Sequence, residues 1–256
     1  MALPEVPHSR QLALDYFERY VHDHASTLSG KAVYDLSAGS GYIAGLFHHQ
    51  GAHVHLYDLF PEHNQLAEVP CGKIDLQQPF PIGDGVADIV ISSETIEHLP
   101  DQYHFFREAA RILKPGGYLL LTTPNTSSLR SRFAQFLGES EHYATPLPNE
   151  HEAFVRWPGS THGYFGKIFL SGILRLRLLA ALNGLRIHRV VPTKTSSTST
   201  GLMILYPLIW FFSRRAYQKK LRAHPGQQVT LNEIYELSTS GHVLRSKHLI
   251  VEWVKK

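Results

Sequence analysis

The 256 residues are 43% hydrophobic and 18% charged, a balance that excludes a disordered chain and suits one large folded domain. A single cysteine, Cys71, excludes an internal disulfide, and the opening MALPEVPHSR lacks the basic-then-apolar pattern of a secretory signal, so a cytoplasmic protein is expected. The net charge of +3 conceals an uneven distribution: residues 1–155 hold 9 Lys and Arg against 19 Asp and Glu, whereas 156–222 hold 12 Lys and Arg and no acidic residue. A stretch of one sign favours an anionic partner, whether substrate, lipid surface or nucleic acid.

In chain order, residues 10–28 carry Leu12, Leu14, Tyr16, Phe17, Tyr20 and Val21 at helical spacing and stop before Gly30. KAVYDLSAGSG then reads as a strand and a glycine turn, GYIAGLFHHQG as a short helix closed by Gly51, and AHVHLYD as a second strand. VADIVISS is a short buried strand, DQYHFFREAARIL an amphipathic helix started by Asp101 and stopped by KPGG, and YLLLTTP another buried strand. After Pro124 the regularity fades, and residues 126–165 read as a lid or substrate loop. KIFLSGILRLRLLAALNG resumes as a helix ended at Asn183-Gly184, followed by the strand LRIHRVV, a Ser/Thr-rich loop, GLMILYPLIWFFSRRAYQKKLR, and a last strand HLIVEWV; residues 193–245 are an insertion before that strand. The alternation predicts an α/β fold with a doubly wound, mainly parallel sheet, whose ligands bind at the carboxyl ends of the strands.

Asp35 and Asp58 both fall at such ends. Between them, Gly39 and Gly41 permit close backbone approach, and the helix that follows offers free N–H groups to a polar ligand. The run Gly39 to Ala44 also satisfies the dinucleotide pattern G-x-G-x-x-A, and a carboxylate at Asp58 suits the ribose of a nicotinamide or an adenosyl cofactor equally. Asp35 separates the two, because a carboxylate before the glycines opposes a pyrophosphate and favours a cofactor that carries a cation.

VYDLSAGSGYIAGLF, HVHLYDLFPEH, KIDLQQPFPIGDGVADIVISSETIEHLPD and REAARILKPGGYLLLTTPN, in this order over residues 30–125, resemble the motifs of class I S-adenosylmethionine-dependent methyltransferases that act on small molecules. The later segments are similar to the sixth strand and the antiparallel seventh strand of that family, so the resemblance implies a seven-stranded Rossmann-like sheet in a single domain over 1–256. It implies that Asp35, Gly39 and Gly41 hold the methionine part of S-adenosylmethionine and Asp58 the ribose. Leu59 would lie along the adenine, Asp75 accept from its amino group, Leu76 pack on the ring, and Ser92, Ser93 and Glu94 line the sulfonium end. Ser37 departs from the family, which has glycine there; its side chain either crowds the pocket or hydrogen-bonds to the cofactor.

Methyl transfer needs a nucleophile aligned with the methyl carbon, and a hydroxyl acceptor also needs a base. His98 in ETIEHLPD and His162 in STHGYF are the candidates. His48, His49, His53 and His55 straddle a helix end and a strand without a completing ligand set, so no metal is expected. GLMILYPLIWFF is shorter than the ~20 apolar residues of a spanning helix but runs into SRRAYQKKLR. That composition suits an interfacial segment on an anionic membrane surface, or a helical cover over the acceptor pocket, and both point to a small or lipid-linked acceptor, anionic in keeping with the basic stretch. No recognition module or N/D-P-P-Y motif marks nucleic acid as the substrate, and no feature specifies an oligomeric state. The alternatives are a catalytically silent membrane-associated module of the same fold and a nicotinamide-dependent oxidoreductase.

Overall fold

Apolar residues spaced three and four apart make α1 (Gln11–Leu28), which buries Leu14, Phe17, Val21 and Leu28 along one face. This helix opens the part of the chain that the computed structural model describes, residues 11–140, 146–156 and 163–256. The chain forms two compact units, the first made of Met1–Thr123, Leu179–Val191 and Ile250–Lys256, the second of Pro124–Leu178 and Pro192–Leu249.

The first unit is built on β1 (Ala32–Asp35), α2 (Tyr42–His49), β2 (His53–Asp58), β3 (Cys71–Lys73), β4 (Ala87–Ser93), α3 (Gln102–Ile112) and β5 (Leu113–Pro124). Two strands complete it, β8 (Leu185–Val191) and β9 (His248–Lys255), in a seven-stranded sheet of order β3-β2-β1-β4-β5-β9-β8. The β1–β2, β1–β4, β2–β3 and β4–β5 pairs are parallel, and β9 is antiparallel to β8. This is the expected doubly wound, Rossmann-like sheet with an antiparallel last strand. The strand order reverses direction at β1, whose neighbours β2 and β4 carry the chain to opposite sides, and this is the switch point where such sheets bind ligands.

Alternation along β9 shows how the layers form. Ile250 packs with α1 and α2 in the main core, together with Phe17, Phe47, Val33 and Ile91, and Glu252 accepts a hydrogen bond from Tyr16 Oη at 3.1 Å. Trp253, one position on, faces the other way and meets Phe106 of α3 edge-on at 5.8 Å. The Glu252 carboxylate is buried, and Arg189 Nη2 of β8 neutralises it at 2.6 Å. Burial, reinforced by that carboxylate, pushes the Tyr16 hydroxyl well above its ordinary value. Asp101 caps α3 as its sequence position suggests, accepting from His104 N at 2.8 Å.

The second unit holds more regular structure than its sequence signals. Ser128 caps α4 (Leu129–Gly138), inside the stretch read above as a lid or loop, and β6 (Phe154–Arg156) pairs antiparallel with β7 (Gly163–Phe165). The insertion contains α6 (Ser197–Gly201), a 3-10 turn Leu202–Leu205, α7 (Tyr206–Ala223), α8 (Gln228–Thr239) and α9 (Gly241–Arg245). The two stretches are stitched together within this unit. Asn125 Nδ2 donates to the carbonyls of Val243 and Ser246 at 2.7 and 2.9 Å, and Ser199 Oγ accepts from Arg130 N at 3.1 Å. Helix α5 (Ile173–Leu182) starts where Ser127 Oγ accepts from Ile173 N at 2.9 Å.

Candidate functional site

The site residues expected from sequence that the structure describes all lie in the first unit, at the carboxyl ends of β1 to β4 and in the loops that leave them. Asp35 ends β1, almost fully buried, and its Oδ1 accepts from Ser37 N at 3.1 Å. The chain then turns through Gly39 at φ 51° and Gly41 at φ 85°, left-handed angles that glycine adopts without steric cost. Gly41 has a second reason to be glycine. A Cβ there would stand 2.6 Å from Asn64 Oδ1 and 2.9 Å from Leu66 Cβ, so the start of α2 and the loop after β2 close on each other only across a bare backbone.

Asp58 joins this turn to the end of β2. Its Oδ2 accepts from Gly39 N and its Oδ1 from Phe60 N, both at 2.9 Å, which fixes the carboxylate beside the glycines. Each carboxylate oxygen has a second lone pair, so acceptor capacity remains for two hydroxyls of a ligand. Leu59 follows, half-buried. The main chain of Asp58 accepts from Ile74 N at 2.9 Å, which brings the exposed Asp75 and the buried Leu76 to the same edge. Asp75 Oδ1 meanwhile accepts from Gln77 N at 2.9 Å and shapes its own turn. Cys71 of β3 senses both rim carboxylates: burial, then the charges of Asp58 and Asp35, push its thiol up to about 12. It therefore stays protonated and non-nucleophilic at neutral pH.

Ser37 reaches across to β4, where its Oγ accepts from Ser93 N at 3.1 Å. The hydroxyl at the position that departs from the family's glycine thus ties two strand ends together. Ser92 is fully buried and its Oγ has no hydrogen-bond partner among the described residues, an arrangement that a bound polar ligand or water relieves. Glu94 sits at φ 53°, a conformation costing about 1–2 kcal/mol for a residue with a side chain. Thr122 of β5 holds it there: Glu94 N donates to Thr122 O at 3.0 Å and to Thr122 Oγ1 at 3.2 Å, while Thr122 Oγ1 lies 3.3 Å from Glu94 Oε1. His98 closes the 3-10 turn Ile96–His98, half-buried. Beside it Glu97 is buried and accepts from Thr123 Oγ1 at 2.9 Å. His162 lies outside the described residues.

Three supporting residues were not singled out from sequence. Thr122 and Thr123 are legible only as the polar end of a buried strand, and Asn64 as one polar residue in EHNQL. Asn64 nevertheless folds the loop that abuts Gly41, accepting from Leu66 N at 3.0 Å and donating to Val69 O at 2.8 Å.

The arrangement is a crevice rim with two carboxylates beside a glycine turn at a helix start. Those donors and acceptors fit a cofactor that has a ribose diol and a cationic amino-acid end.

Residues 9–189 match the family model described as a methyltransferase domain. The chain is 28% identical over 150 residues, 54% of its length, to a ubiquinone biosynthesis O-methyltransferase of Acinetobacter baylyi, and 33% identical over 155 residues, 56% of its length, to one of Xylella fastidiosa. These matches span 62% and 60% of the relatives' own lengths, less than two thirds. Among solved structures, an S-adenosylmethionine-dependent methyltransferase from Archaeoglobus fulgidus has the same fold at a TM-score of 0.53 and 13% identity, covering 94% of both chains. A geranyl diphosphate methyltransferase in complex with S-adenosylmethionine superposes at 0.51 and 16% identity, covering 93% of this chain and 83% of its own. The family match, the sheet order and the carboxylate-lined glycine turn agree: the chain belongs to the methyltransferase-domain family, in its class I Rossmann-like form, with S-adenosylmethionine as the cofactor.

Proposed function

We propose that the protein transfers the methyl group of S-adenosylmethionine to a hydroxyl on a small, lipid-linked acceptor. The observation that carries the reading is the Asp58 carboxylate, clamped by Gly39 N and Phe60 N at the switch point of the sheet with acceptor capacity to spare. When bound, the cofactor supplies an electrophilic methyl on a sulfonium. In this reading Asp35 faces the ammonium, the Gly39–Gly41 backbone approaches the methionine part, and Asp58 accepts from the ribose hydroxyls. Leu59 and Leu76 sandwich the adenine while Asp75 accepts from its amino group. Ser92, Ser93 and Glu94 line the reactive end, with Ser37 holding Ser93 in place. His98, next along the chain after that lining, takes the proton of the acceptor hydroxyl, so that the oxygen attacks as its charge develops.

The acceptor class draws support from two sides. Relatives named as ubiquinone biosynthesis O-methyltransferases act on a hydroxyl by their names, and this chain exposes large apolar side chains beside a basic stretch, which suits an amphiphilic, anionic acceptor met at a membrane surface. Calorimetry tests the cofactor assignment. Asp58→Ala removes charge-assisted hydrogen bonds worth about 1.5–3 kcal/mol each, so S-adenosylmethionine affinity falls at least about tenfold. Unchanged affinity in that variant, or tighter binding of NAD than of S-adenosylmethionine by the parent, would remove the assignment. Nicotinamide chemistry would then be the reading to pursue.

A further inference from the structure

Helix α7 has two distinct faces. Tyr206, Ile209, Ser213, Tyr217 and Leu221, spaced three and four apart, are its half-buried residues. Tyr217 anchors that face to α8, its hydroxyl donating to Asn232 Oδ1 at 2.6 Å and its ring 5.3 Å from that of Tyr235. The opposite face points away from α8, and its residues Leu208, Phe211, Phe212, Arg215, Lys219 and Arg222 are all exposed.

That outward row changes character along its length. Its first half is apolar, with Phe212 63% exposed and Phe211 52%, and the 3-10 turn just before it adds Ile204 at 82%. Its second half is entirely basic. Trp210, also exposed, carries the Arg214 guanidinium 5.5 Å from its ring centre, an aromatic and a cation stacked at the junction. Helix α4 packs against the same 3-10 turn and ends on two further exposed apolar residues, Phe136 and Leu137. Leaving this much apolar area in water is unfavourable and marks an interaction surface.

We propose that α7 docks the protein on an anionic lipid bilayer, with its first two turns in the acyl boundary and its last two over the headgroups. The partner follows from complementarity of charge and polarity together. No carboxylate lies anywhere in 156–222, and of the two on α8, Glu233 is held by Arg177 at 2.6 Å, which leaves the exposed Glu236 against a row of cations. A second copy of the chain serves only half of the face, because a two-fold contact on the apolar residues leaves Arg215, Lys219 and Arg222 with no opposite charge to meet. Duplex nucleic acid suits the basic half but leaves Leu208, Phe211 and Phe212 in water. No helix among the described residues is long and apolar enough to cross a membrane, so the contact is interfacial. Because apolar and basic residues follow one another on a single face, the helix axis enters obliquely, its amino end deeper. This inference deepens the amphiphilic-acceptor reading and rests on it for its purpose: docking brings the enzyme to where such an acceptor resides.

The test is sedimentation of the full chain with vesicles of phosphatidylcholine alone and of an equal mixture with phosphatidylglycerol, at low salt and at about 1 M, where screening shortens to about 3 Å. Binding is expected to the mixed vesicles only and to be lost at high salt. At about a factor of five for each cation removed, the triple variant Arg215→Glu, Lys219→Glu, Arg222→Glu should partition at least about 100-fold less. Phe211→Ser with Phe212→Ser should weaken binding as strongly while keeping every charge. The added fluorescence of the Phe212→Trp variant, read as the difference from the parent, should shift to the blue on binding and be quenched by brominated acyl chains. Calorimetry with S-adenosylmethionine confirms that each variant is folded. Failure of the parent to sediment with mixed vesicles at low salt overturns the inference, as does equal binding to both vesicle types or tighter, Phe-independent binding to duplex DNA. The two readings fail separately. Methylation of a detergent-solubilised apolar acceptor without vesicle binding sinks the docking alone, whereas vesicle binding with only water-soluble acceptors methylated sinks the acceptor reading.

Discussion

Ser37 Oγ accepts a hydrogen bond from the backbone N–H of Ser93, 56 positions along the chain, and so couples the turn after β1 to the end of β4. Ser93 is buried, which means that its N–H has no ready substitute in water when the hydroxyl is removed. Ser37→Ala should cost about 1–3 kcal/mol, the desolvation cost of an unsatisfied buried donor. For a chain of this length the melting temperature then falls by about 2–4 °C per kcal/mol. Ser37→Gly, which restores the family's residue, should cost more through backbone entropy. Thermal melts of the two variants check both the drop and its order.

A matched pair of glycines separates backbone strain from steric contact. Gly30 and Gly41 both have positive φ, 74° and 85°, but a Cβ at Gly30 meets nothing within 4 Å whereas one at Gly41 strikes Asn64 and Leu66. Gly30→Ala should therefore cost about 1–2 kcal/mol, from left-handed strain alone. Gly41→Ala should cost clearly more and should weaken S-adenosylmethionine binding, because the turn beside Asp58 must shift. Denaturant midpoints and calorimetry decide it, and equal losses in the two variants would mean that the loop at 64–66 yields freely.

Acid stability should depend on Glu108. Its buried carboxylate accepts from Arg111 Nη2 at 2.8 Å and from Phe80 N at 2.9 Å. The Arg111 hydrogen bond, helped by the Phe80 N–H and outweighing burial, holds the carboxyl below its ordinary 4.5. A depressed folded value means that this stabilisation is fully present above the unfolded value and disappears as pH falls through the folded one. Glu108→Gln should thus be less stable than the parent near neutrality, with the difference closing below about pH 4.5. Arg111 also donates to the carbonyls of Phe80 and Ile82 at 3.1 and 2.8 Å, so the pair fastens the loop between β3 and β4 to α3. Denaturation midpoints measured from pH 7 to pH 3 would show the convergence, and parallel curves would refute it.

His98→Gln separates base catalysis from positioning. If His98 takes the acceptor proton, turnover on a hydroxyl acceptor should fall by about 100-fold or more, with cofactor affinity nearly unchanged. Equal turnover in the two proteins would show that alignment alone suffices.

Much of the first unit is legible in the residues. Asp101 reads as a cap and is one, Gly51 and Gly184 close helices at positive φ, and the alternation in HVHLYD reports a strand with a wet face and a packed face. What escapes has physical reasons. β3 is three residues, Cys71–Lys73, with a glycine in its middle, and only its pairing with β2 makes it a strand. α4 hides in a serine-rich stretch because its helical start is a local event, Ser128 Oγ accepting from Ser131 N at 3.3 Å, and few of its residues are buried. α8 buries only Leu231 and Leu237, too sparse a stripe to stand out. At the site, the rim carboxylates and glycines follow from strand ends and spacing. Their mutual contacts, Ser37 to Ser93 and Gly39 to Asp58, join positions far apart in sequence and exist only once the sheet has formed.

The position of β9 has a kinetic meaning. It is the last strand in chain order yet sits between β5 and β8, with Lys255 Nζ donating to Leu113 O across 142 positions and Tyr16 to Glu252 across 236. Until those residues arrive, β5 is an open edge with unpaired amides, and β8 has no neighbour at all. A growing chain therefore carries an unfinished template for strand addition until β9 has been made. Completion should be slow, as closure over such separations is.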